Sequence, residues 1–171
     1  MLPGDEQPDT SAISLRGYVR ADLPAIFALD EICFEAPFRF SLAMMRRFAE
    51  AKNALTVVAE RAQEIAGFCI AHVERGRGEH VGYIVTLDVA PAERRRGLAA
   101  RMMHEIESQA RAAGCAAMAL HVSVENTGAV RFYERMGYVL WHLAPGFYGR
   151  GRDAMVYRRM LTPRDAAGLS T

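Results

Sequence analysis

The sequence predicts one α/β (α+β) domain in which a mixed, mostly antiparallel sheet of six to seven strands is flanked by about four helices. Three observations lead to this fold class. The chain has 171 residues, 51% of them hydrophobic, which is enough for one sizeable core. Runs with an apolar period of two alternate with helical stripes in the order β-α-α-β-β-β-α-β-α-β-β. Neighbouring strand runs predict a hairpin, whereas a strand–helix–strand segment predicts a parallel pair.

In the first half of the chain, a strand is followed by two helices and a hairpin. Asp22 and Ser41 are residue types that cap helix N-termini, so the helices are predicted to begin directly after them. The second helix covers Leu42–Lys52, and a loop over Phe34–Phe40 joins the two. The predicted strands are Ile13–Val19, Ala54–Glu60 and Ile65–Glu74, of which the last two form the hairpin.

In the second half, strands and helices alternate. The helix after Gly97 carries an apolar stripe at four-residue spacing and ends at Gly114. A further helix covers Thr127–Met136. The predicted strands are Gly82–Val89, Met118–Val122, Val139–Leu143 and Ala154–Leu161, of which the first two form the parallel pair.

Composition narrows the function and the compartment. The domain is predicted over residues 13–161, with flexible tails at 1–12 and 162–171. The 21 basic and 20 acidic residues give no basic field of the kind that binds nucleic acid. The start of the chain does not resemble a signal peptide, and no apolar run is long enough to cross a membrane. The scattered Cys33, Cys69 and Cys115 indicate reduced thiols, and we therefore expect a cytoplasmic protein without a disulfide framework or a zinc site.

The run Leu87–Ala100 is the most informative stretch of the chain. It reads as a strand, a tight turn and the start of a helix, whose first backbone N–H groups have no partner and attract an anion. Gly97 has no Cβ to hold a ligand away. The run therefore predicts a pyrophosphate pocket ringed by Arg94, Arg95 and Arg96. The alternatives are a solvated arginine surface or a nucleic-acid patch, while a dinucleotide-binding turn would require three glycines where this run has one.

The six residues Arg94-Arg95-Arg96-Gly97-Leu98-Ala99 resemble the acetyl-CoA loop of the GNAT superfamily of N-acetyltransferases. A second block, Leu120–Tyr138, resembles the later part of the same signature through Asn126, Ala129 and the pair Phe132-Tyr133. The resemblance spans Ile13 to Leu161. It implies the GNAT fold, acetyl-CoA as cosubstrate and no metal.

The resemblance also implies roles for individual residues. Tyr133 corresponds to the general acid that protonates the departing CoA thiolate. Asn126 would both cap its helix and contact the pantetheine arm, which the backbone of Leu87 and Val89 would also meet. The implied acetyl-CoA contacts are Leu87, Val89, Arg94, Arg95, Arg96, Gly97, Leu98, Ala99, Ala100 and Asn126.

Three local matches resemble protein N-terminal acetyltransferases, including the ribosomal-protein alanine enzymes. They are the strand Tyr83–Leu87, a histidine at His121, and Gly146-Phe147-Tyr148 followed by Asp153-Ala154. Two departures are the alanine before Pro37 and the glycine at 146, which leave the acceptor's first residue open. The implied substrate-binding residues are Pro37, Phe38, Phe147 and Tyr148.

His121 and Tyr83 lie on the two parallel strands and are predicted to hold one water that takes the proton of the acceptor amine. An α-amino group, with a pKa near 7.7–8.0, needs only such a mild base. The plainer alternatives are a core histidine and a packing tyrosine. At the level of function, the alternatives are an acetyltransferase for a small amine (polyamine, amino acid or antibiotic) and a non-catalytic CoA-binding module. The oligomeric state stays open, with a homodimer as one option, as does the need for a partner subunit.

Overall fold

The structure, a computed structural model, describes residues 12–161, which hold seven strands and four α-helices in the predicted order. Three short 3-10 turns, Arg20–Asp22, Ala36–Phe38 and Pro91–Glu93, lie between them. The helices are α1 Leu23–Cys33, α2 Leu42–Ala49, α3 Leu98–Ala112 and α4 Thr127–Arg135. The strands are β1 Ser14–Arg16, β2 Ala54–Arg61, β3 Glu64–Arg75, β4 His80–Val89, β5 Cys115–Ser123, β6 Val139–Ala144 and β7 Ala154–Met160.

All seven strands form one sheet in the order β1-β2-β3-β4-β5-β7-β6. Every neighbouring pair is antiparallel except β4 and β5, so the predicted hairpin and the predicted parallel pair are both confirmed. The parallel pairing ends at Tyr83 and Ala119, although β4 continues to Val89 and β5 to Ser123. Beyond this point no strand of residues 12–161 pairs with β4 on its β5 side, and a cleft opens between β4 and β5.

The helices cover both faces of the sheet and give the domain two apolar layers. On one face, α1 and α2 pack through side chains such as Ile26 and Met45 onto Phe68 and Ile70 of β3. On the other face, α3 and α4 pack onto the sheet. The predicted α3 stripe is fully buried there, with Leu98, Met102, Ile106 and Ala110 between 0% and 3% exposed.

The helix caps agree with the sequence at two sites and differ at a third. The Ser41 hydroxyl accepts the Met44 N–H at 3.2 Å, and the Asn126 side chain accepts the Ala129 N–H at 3.1 Å. The carboxylate of Asp22 does not cap α1. It accepts the Val19 N–H at 2.8 Å and pairs with Arg16 at 2.8 Å, on the opposite side of the turn.

Several predicted boundaries are wrong. Strand β4 begins at His80 rather than Gly82, and β5 at Cys115 rather than Met118. The first strand covers three residues rather than Ile13–Val19, because the Tyr18 N–H bonds the Thr56 hydroxyl instead of a strand partner. The second helix ends at Ala49 rather than Lys52. The predicted tails, residues 1–12 and 162–171, lie outside the described residues except for Ala12.

Three further findings concern the described part of the chain. None of its helices is long and apolar enough to span a membrane. No group of three or more metal-ligating side chains comes together within residues 12–161. The cysteines are free: Cys69 and Cys115 are buried in the core, as expected, and Cys33 is half-buried.

Candidate active site

An open groove of about 400 Å³ lies where the end of β4, the loop after it and the start of α3 face α4. Most of the residues implied as acetyl-CoA contacts line it, whereas Leu87, Arg96 and Asn126 do not. The lining residues are Val89, Glu93, Arg94, Arg95, Gly97, Leu98, Ala99, Ala100, Phe132, Arg135 and Met136.

The backbone of the loop is curved so that its N–H groups can face one ligand. Arg95 and Gly97 both adopt left-handed conformations, with φ of 61° and 78°, and such alternation makes a concave, anion-binding backbone. The first bond of α3 joins the Arg101 N–H to the Gly97 carbonyl at 3.1 Å. The N–H groups of residues 98–100 find no acceptor within residues 12–161, which leaves them free for an anion at the helix N-terminus.

The three arginines of the loop have different surroundings. Arg94 Nε donates to the Val89 carbonyl at 3.1 Å, and its guanidinium also lies 3.6 Å from Cys33 Sγ. Arg96 does not line the groove itself, but it pairs at 3.7 Å with Glu93, which does. The predicted ring of three arginines therefore reduces to Arg94 and Arg95 at the groove.

The α4 wall of the groove was missed by the sequence reasoning. Phe132, Arg135 and Met136 lie three and four positions apart and so share one helical face, which adds a third guanidinium to the groove. The same spacing is visible in the sequence and could have predicted that these three side chains share one face of the helix. Glu93, the acid of the groove, is paired with Arg61 at 3.1 Å and leaves the positive charge of the groove in excess.

Tyr133 points from α4 into the interior, and its ring packs edge-on against Phe132 and Tyr138. Its hydroxyl has no hydrogen-bond partner in the described part of the chain. Burial, followed by the neighbouring Cys69, Asp88 and Tyr148, raises the pKa of Tyr133 well above its usual 10. The phenol is therefore protonated at neutral pH and has its proton available to donate.

Tyr83 and His121 contact each other directly, with Tyr83 Oη 3.0 Å from His121 Nδ1. The prediction that one water bridges them is wrong in this respect, because 3.0 Å is a direct hydrogen bond. Burial, followed by Tyr148 and Glu74, raises the pKa of Tyr83 to about 12. Burial and the nearby His142 lower the pKa of His121 below 6.5, so the imidazole is neutral at pH 7.

Aromatic side chains from two loops gather around His121. The Phe147 ring stacks on the imidazole with centroids 3.8 Å apart, and the Tyr148 hydroxyl donates to the His121 carbonyl at 3.2 Å. Phe38 contacts Tyr148 edge-on at 5.1 Å, which joins the α1–α2 loop to the β6–β7 loop. Three of the four implied substrate residues thus meet near His121. Pro37 is exposed in the middle of its 3-10 turn.

Two buried carboxyl groups near the end of β4 were not identified from the sequence. Asp88 is 1% exposed; one oxygen accepts the Thr86 hydroxyl at 2.5 Å, and the other has no partner within residues 12–161. Burial raises the pKa of Asp88 to about 8 against the opposing effect of the Thr86 bond. Asp30 on α1 is fully buried, and one of its oxygens accepts the Phe40 N–H at 3.1 Å.

The geometry fits a bound nucleotide diphosphate with an extended arm. Free N–H groups and three arginines suit the pyrophosphate, and the unpaired side of β4 offers backbone groups to an extended chain. The sequence pattern of the acetyltransferase (GNAT) family matches residues 23–138, more than half of the chain. The chain belongs to this family. It is an N-acetyltransferase, and its cosubstrate is acetyl-CoA.

Curated relatives of this acetyltransferase include three of particular interest. An uncharacterized N-acetyltransferase of Methanocaldococcus jannaschii is 29% identical over 143 residues, which cover 83% of the chain and 88% of that protein. N-alpha-acetyltransferase 20 of Dictyostelium discoideum is 33% identical over 97 residues, 54% of the chain and 56% of that protein. A mycothiol acetyltransferase of Streptosporangium roseum is 37% identical over 71 residues, 41% of the chain and 21% of that protein.

Solved structures show the same fold for this acetyltransferase. Arabidopsis thaliana NAA60 in complex with a bisubstrate analogue has a TM-score of 0.79 at 23% identity, covering 89% of the chain and 99% of that structure. The ribosomal-protein-S18-alanine N-acetyltransferase of Escherichia coli has a TM-score of 0.76 at 20% identity, covering 94% and 99%. At these identities the similarity is one of fold, and it confirms the predicted fold class.

Proposed function

We propose that this acetyltransferase acetylates the α-amino group of a protein or peptide N-terminus, by direct attack of the amine on acetyl-CoA within a ternary complex. The observation that carries the proposal is the hydrogen-bonded pair of Tyr83 and His121, with a neutral imidazole. Much of an α-amine population is already deprotonated near pH 7.7–8.0, so a neutral histidine is a sufficient base. The names of several relatives, N-alpha-acetyltransferases 20 and 60, support the same acceptor class.

Because Tyr83 and His121 are directly hydrogen-bonded, the two side chains have different roles in the proposed reaction. Tyr83, with a pKa near 12, keeps its proton at neutral pH and is not itself a base. When His121 Nδ1–H donates to the Tyr83 oxygen, Nε2 carries the free lone pair and accepts the proton of the acceptor. In that tautomer Tyr83 accepts the Nδ1–H bond and fixes the orientation of the ring, as partners of catalytic histidines commonly do.

The remaining residues bind and release the cosubstrate. Acetyl-CoA supplies the acetyl thioester. The loop residues 94–100 would hold its pyrophosphate, and the backbone of Leu87 and Val89 would meet the arm beside Asn126. Tyr133 would donate its proton to the leaving thiolate, whose ordinary pKa near 8.5 makes such help useful. We place the reaction in the cytoplasm, in keeping with the free cysteines.

A small-molecule amine is the second candidate acceptor, and the partial similarity to a mycothiol acetyltransferase favours it. A polyamine or a lysine side chain differs from a peptide N-terminus in the pKa of the amine. A polyamine or lysine amine, with a pKa near 10, stays protonated over the range in which an α-amine titrates. Its acetylation would therefore depend on His121 throughout that range.

The test is an acetylation assay on peptides with varied first residues, run beside a panel of polyamines, amino acids and lysine peptides. His121→Ala should lower kcat/KM by roughly 10²–10⁴-fold, and the deficit should shrink above about pH 8. Tyr83→Phe should lower it by a smaller factor, because the base remains. His104→Ala, on the exposed side of α3, and Tyr18→Phe are matched controls that should leave activity unchanged.

The site of modification decides between the acceptors. Tandem mass spectrometry of the products should locate the acetyl group on the α-amine. Preferential turnover of a polyamine or a lysine side chain, with a His121 dependence that stays constant to pH 9.5, would contradict the proposal.

A further inference from the structure

The edge strand β6 exposes an unusual amount of apolar surface. Val139, Leu140, Trp141 and Leu143 are 50–66% exposed, and Met160 of the neighbouring β7 is 61% exposed. These five residues are called the β6 surface. An open groove of about 520 Å³ runs along it beside Arg158 and Arg159. The strand is exposed on both faces, because neither α3 nor α4 reaches across it.

The outer edge of β6 also has a free row of backbone hydrogen-bonding groups. The strand pairs with β7 on one side and with no other strand of residues 12–161 on the other. Edge strands are usually protected by lysine, proline, inward-pointing charge or short length. The opposite edge of the sheet, β1, is three residues long, and its Arg16 pairs with Asp22 and Glu60. In β6, the sole protective feature is a bulge at Trp141, and the sole ionisable side chain is His142.

The charges beside the β6 surface are internally neutralised. Arg158 lies over the Trp141 ring, 5.0 Å from its centroid, and pairs with Glu79. Arg159 pairs with the buried Glu107 at 2.9 Å. The surface therefore offers no unpaired charge to an acidic or basic partner, whereas two copies of it can meet without like-charge repulsion.

We propose that β6 pairs with β6 of a second copy of this chain, antiparallel and across a two-fold axis, to form a dimer with a continuous fourteen-stranded sheet. A two-fold axis perpendicular to the sheet at this edge makes the two strands antiparallel and the contact self-complementary. Pairing satisfies the free backbone groups and brings apolar side chains of the two strands into cross-strand contact on both faces of the sheet.

The proposed dimer has a consequence for the active site. β6 continues into the loop that carries Phe147 and Tyr148, whose position rests on the Gly146 N–H bond to Asp153 at 2.8 Å. Pairing at β6 would hold in place the end of this loop that follows Ala144. The dimer is independent of the identity of the acceptor, so its failure and the failure of the proposed function can be told apart.

The full-length protein tests the proposal by light scattering and by fluorescence. Scattering across about 1–200 µM should give twice the 18.9 kDa chain mass at high concentration. Trp141 is the one tryptophan of the chain, so its emission reports directly on this surface and should shift to the red on dilution.

Charge substitutions identify the interface. Leu143→Lys and, separately, Val139→Lys each place a charge in the interface twice, and each should raise the dimer dissociation constant at least about 100-fold. Val19→Lys is the matched control, because Val19 is 54% exposed beside the opposite edge and its substitution should leave the dimer intact. Circular dichroism and acetyl-CoA binding confirm that all three variants are folded.

Two results would overturn the proposal. One is a wild-type protein that stays monomeric at the highest concentration, which would leave the β6 surface to some other occupant. The other is a dimer that survives Leu143→Lys and Val139→Lys as well as it survives Val19→Lys, which would place the interface elsewhere.

Discussion

Gly97 provides a sharp test of the pyrophosphate site, because its backbone is left-handed and the space beside it is open. With φ at 78°, an alanine there carries the left-handed penalty of about 1–2 kcal/mol. No atom of the described chain lies within 4 Å of the added methyl group, so no steric clash adds to this cost. For a chain of this length, such a loss lowers Tm by about 2–8 °C.

The effect on acetyl-CoA binding should be much larger than the effect on stability. The methyl group stands at the groove wall, where the N–H groups of Leu98 and Ala99 would approach the pyrophosphate. Two hydrogen bonds to a charged group contribute about 1.5–3 kcal/mol each, and each 1.4 kcal/mol is a factor of ten in affinity. Gly97→Ala should therefore weaken acetyl-CoA binding by about a hundredfold or more.

Calorimetric titration with acetyl-CoA measures this loss, and Gly78→Ala is the matched control. Gly78 has φ of 82° and equally open surroundings, but it lies in the β3–β4 turn and away from the groove. Both variants should lose similar stability, and only Gly97→Ala should lose affinity. Equal acetyl-CoA affinity in the two folded variants would refute the assignment of this loop.

Three further predictions concern buried side chains. Tyr133→Phe should lower kcat with little change in acetyl-CoA affinity, because the phenol acts on charge that develops in the transition state; an unchanged kcat with chemistry rate-limiting would remove it from the mechanism. Asp88 keeps its proton in the folded state to about pH 8 but loses it near 3.8 when unfolded, so wild-type stability should fall as pH rises through this window. Asp88→Asn, which preserves the acceptor for Thr86, should remove most of that decline in urea titrations at pH 5 and pH 8. Glu107→Ala should cost about 3–5 kcal/mol in the same titrations, because it leaves Arg159 and the Tyr138 hydroxyl without their partner, whereas the exposed Glu105→Ala should cost under about 0.5 kcal/mol.

The order of the elements was predictable because most of them bury one periodic face, although β6 does not. The α3 stripe and the inward-facing positions of β4 repeat with periods of 3.6 and two, and the structure buries both sets. The ends of helices and strands were less predictable where a side chain forms hydrogen bonds with residues that are distant in the sequence. Arg16 binds Asp22 and Glu60 at once, and this pairing holds the Asp22 carboxylate away from the α1 N-terminus. The Tyr18 N–H bonds the Thr56 hydroxyl rather than a strand partner, so β1 ends early.

The walls of the groove were only half predictable for a related reason. A contiguous loop such as 94–100 can be predicted from the sequence, because its backbone conformation is determined by residues that are neighbours in the chain. The partners of its side chains are not local: Arg94 bonds the end of β4, and Arg96 turns back to Glu93. The opposite wall comes from α4, whose distance from the loop depends on how both helices pack on the sheet.

The chemistry of His121 depends most of all on contacts between remote residues. Two parallel strands place Tyr83 and His121 near each other, but only the register decides between a bridging water and a direct bond. The stacked Phe147 comes from a loop that reaches the imidazole over 26 residues of chain, and with the surrounding protein it removes water from the ring. Because desolvation penalises the charged imidazolium, the same packing that hides the ring also keeps it neutral. A neutral imidazole can take a proton from an amine at pH 7, so the base depends on neighbours such as Phe147 that do not themselves accept the proton.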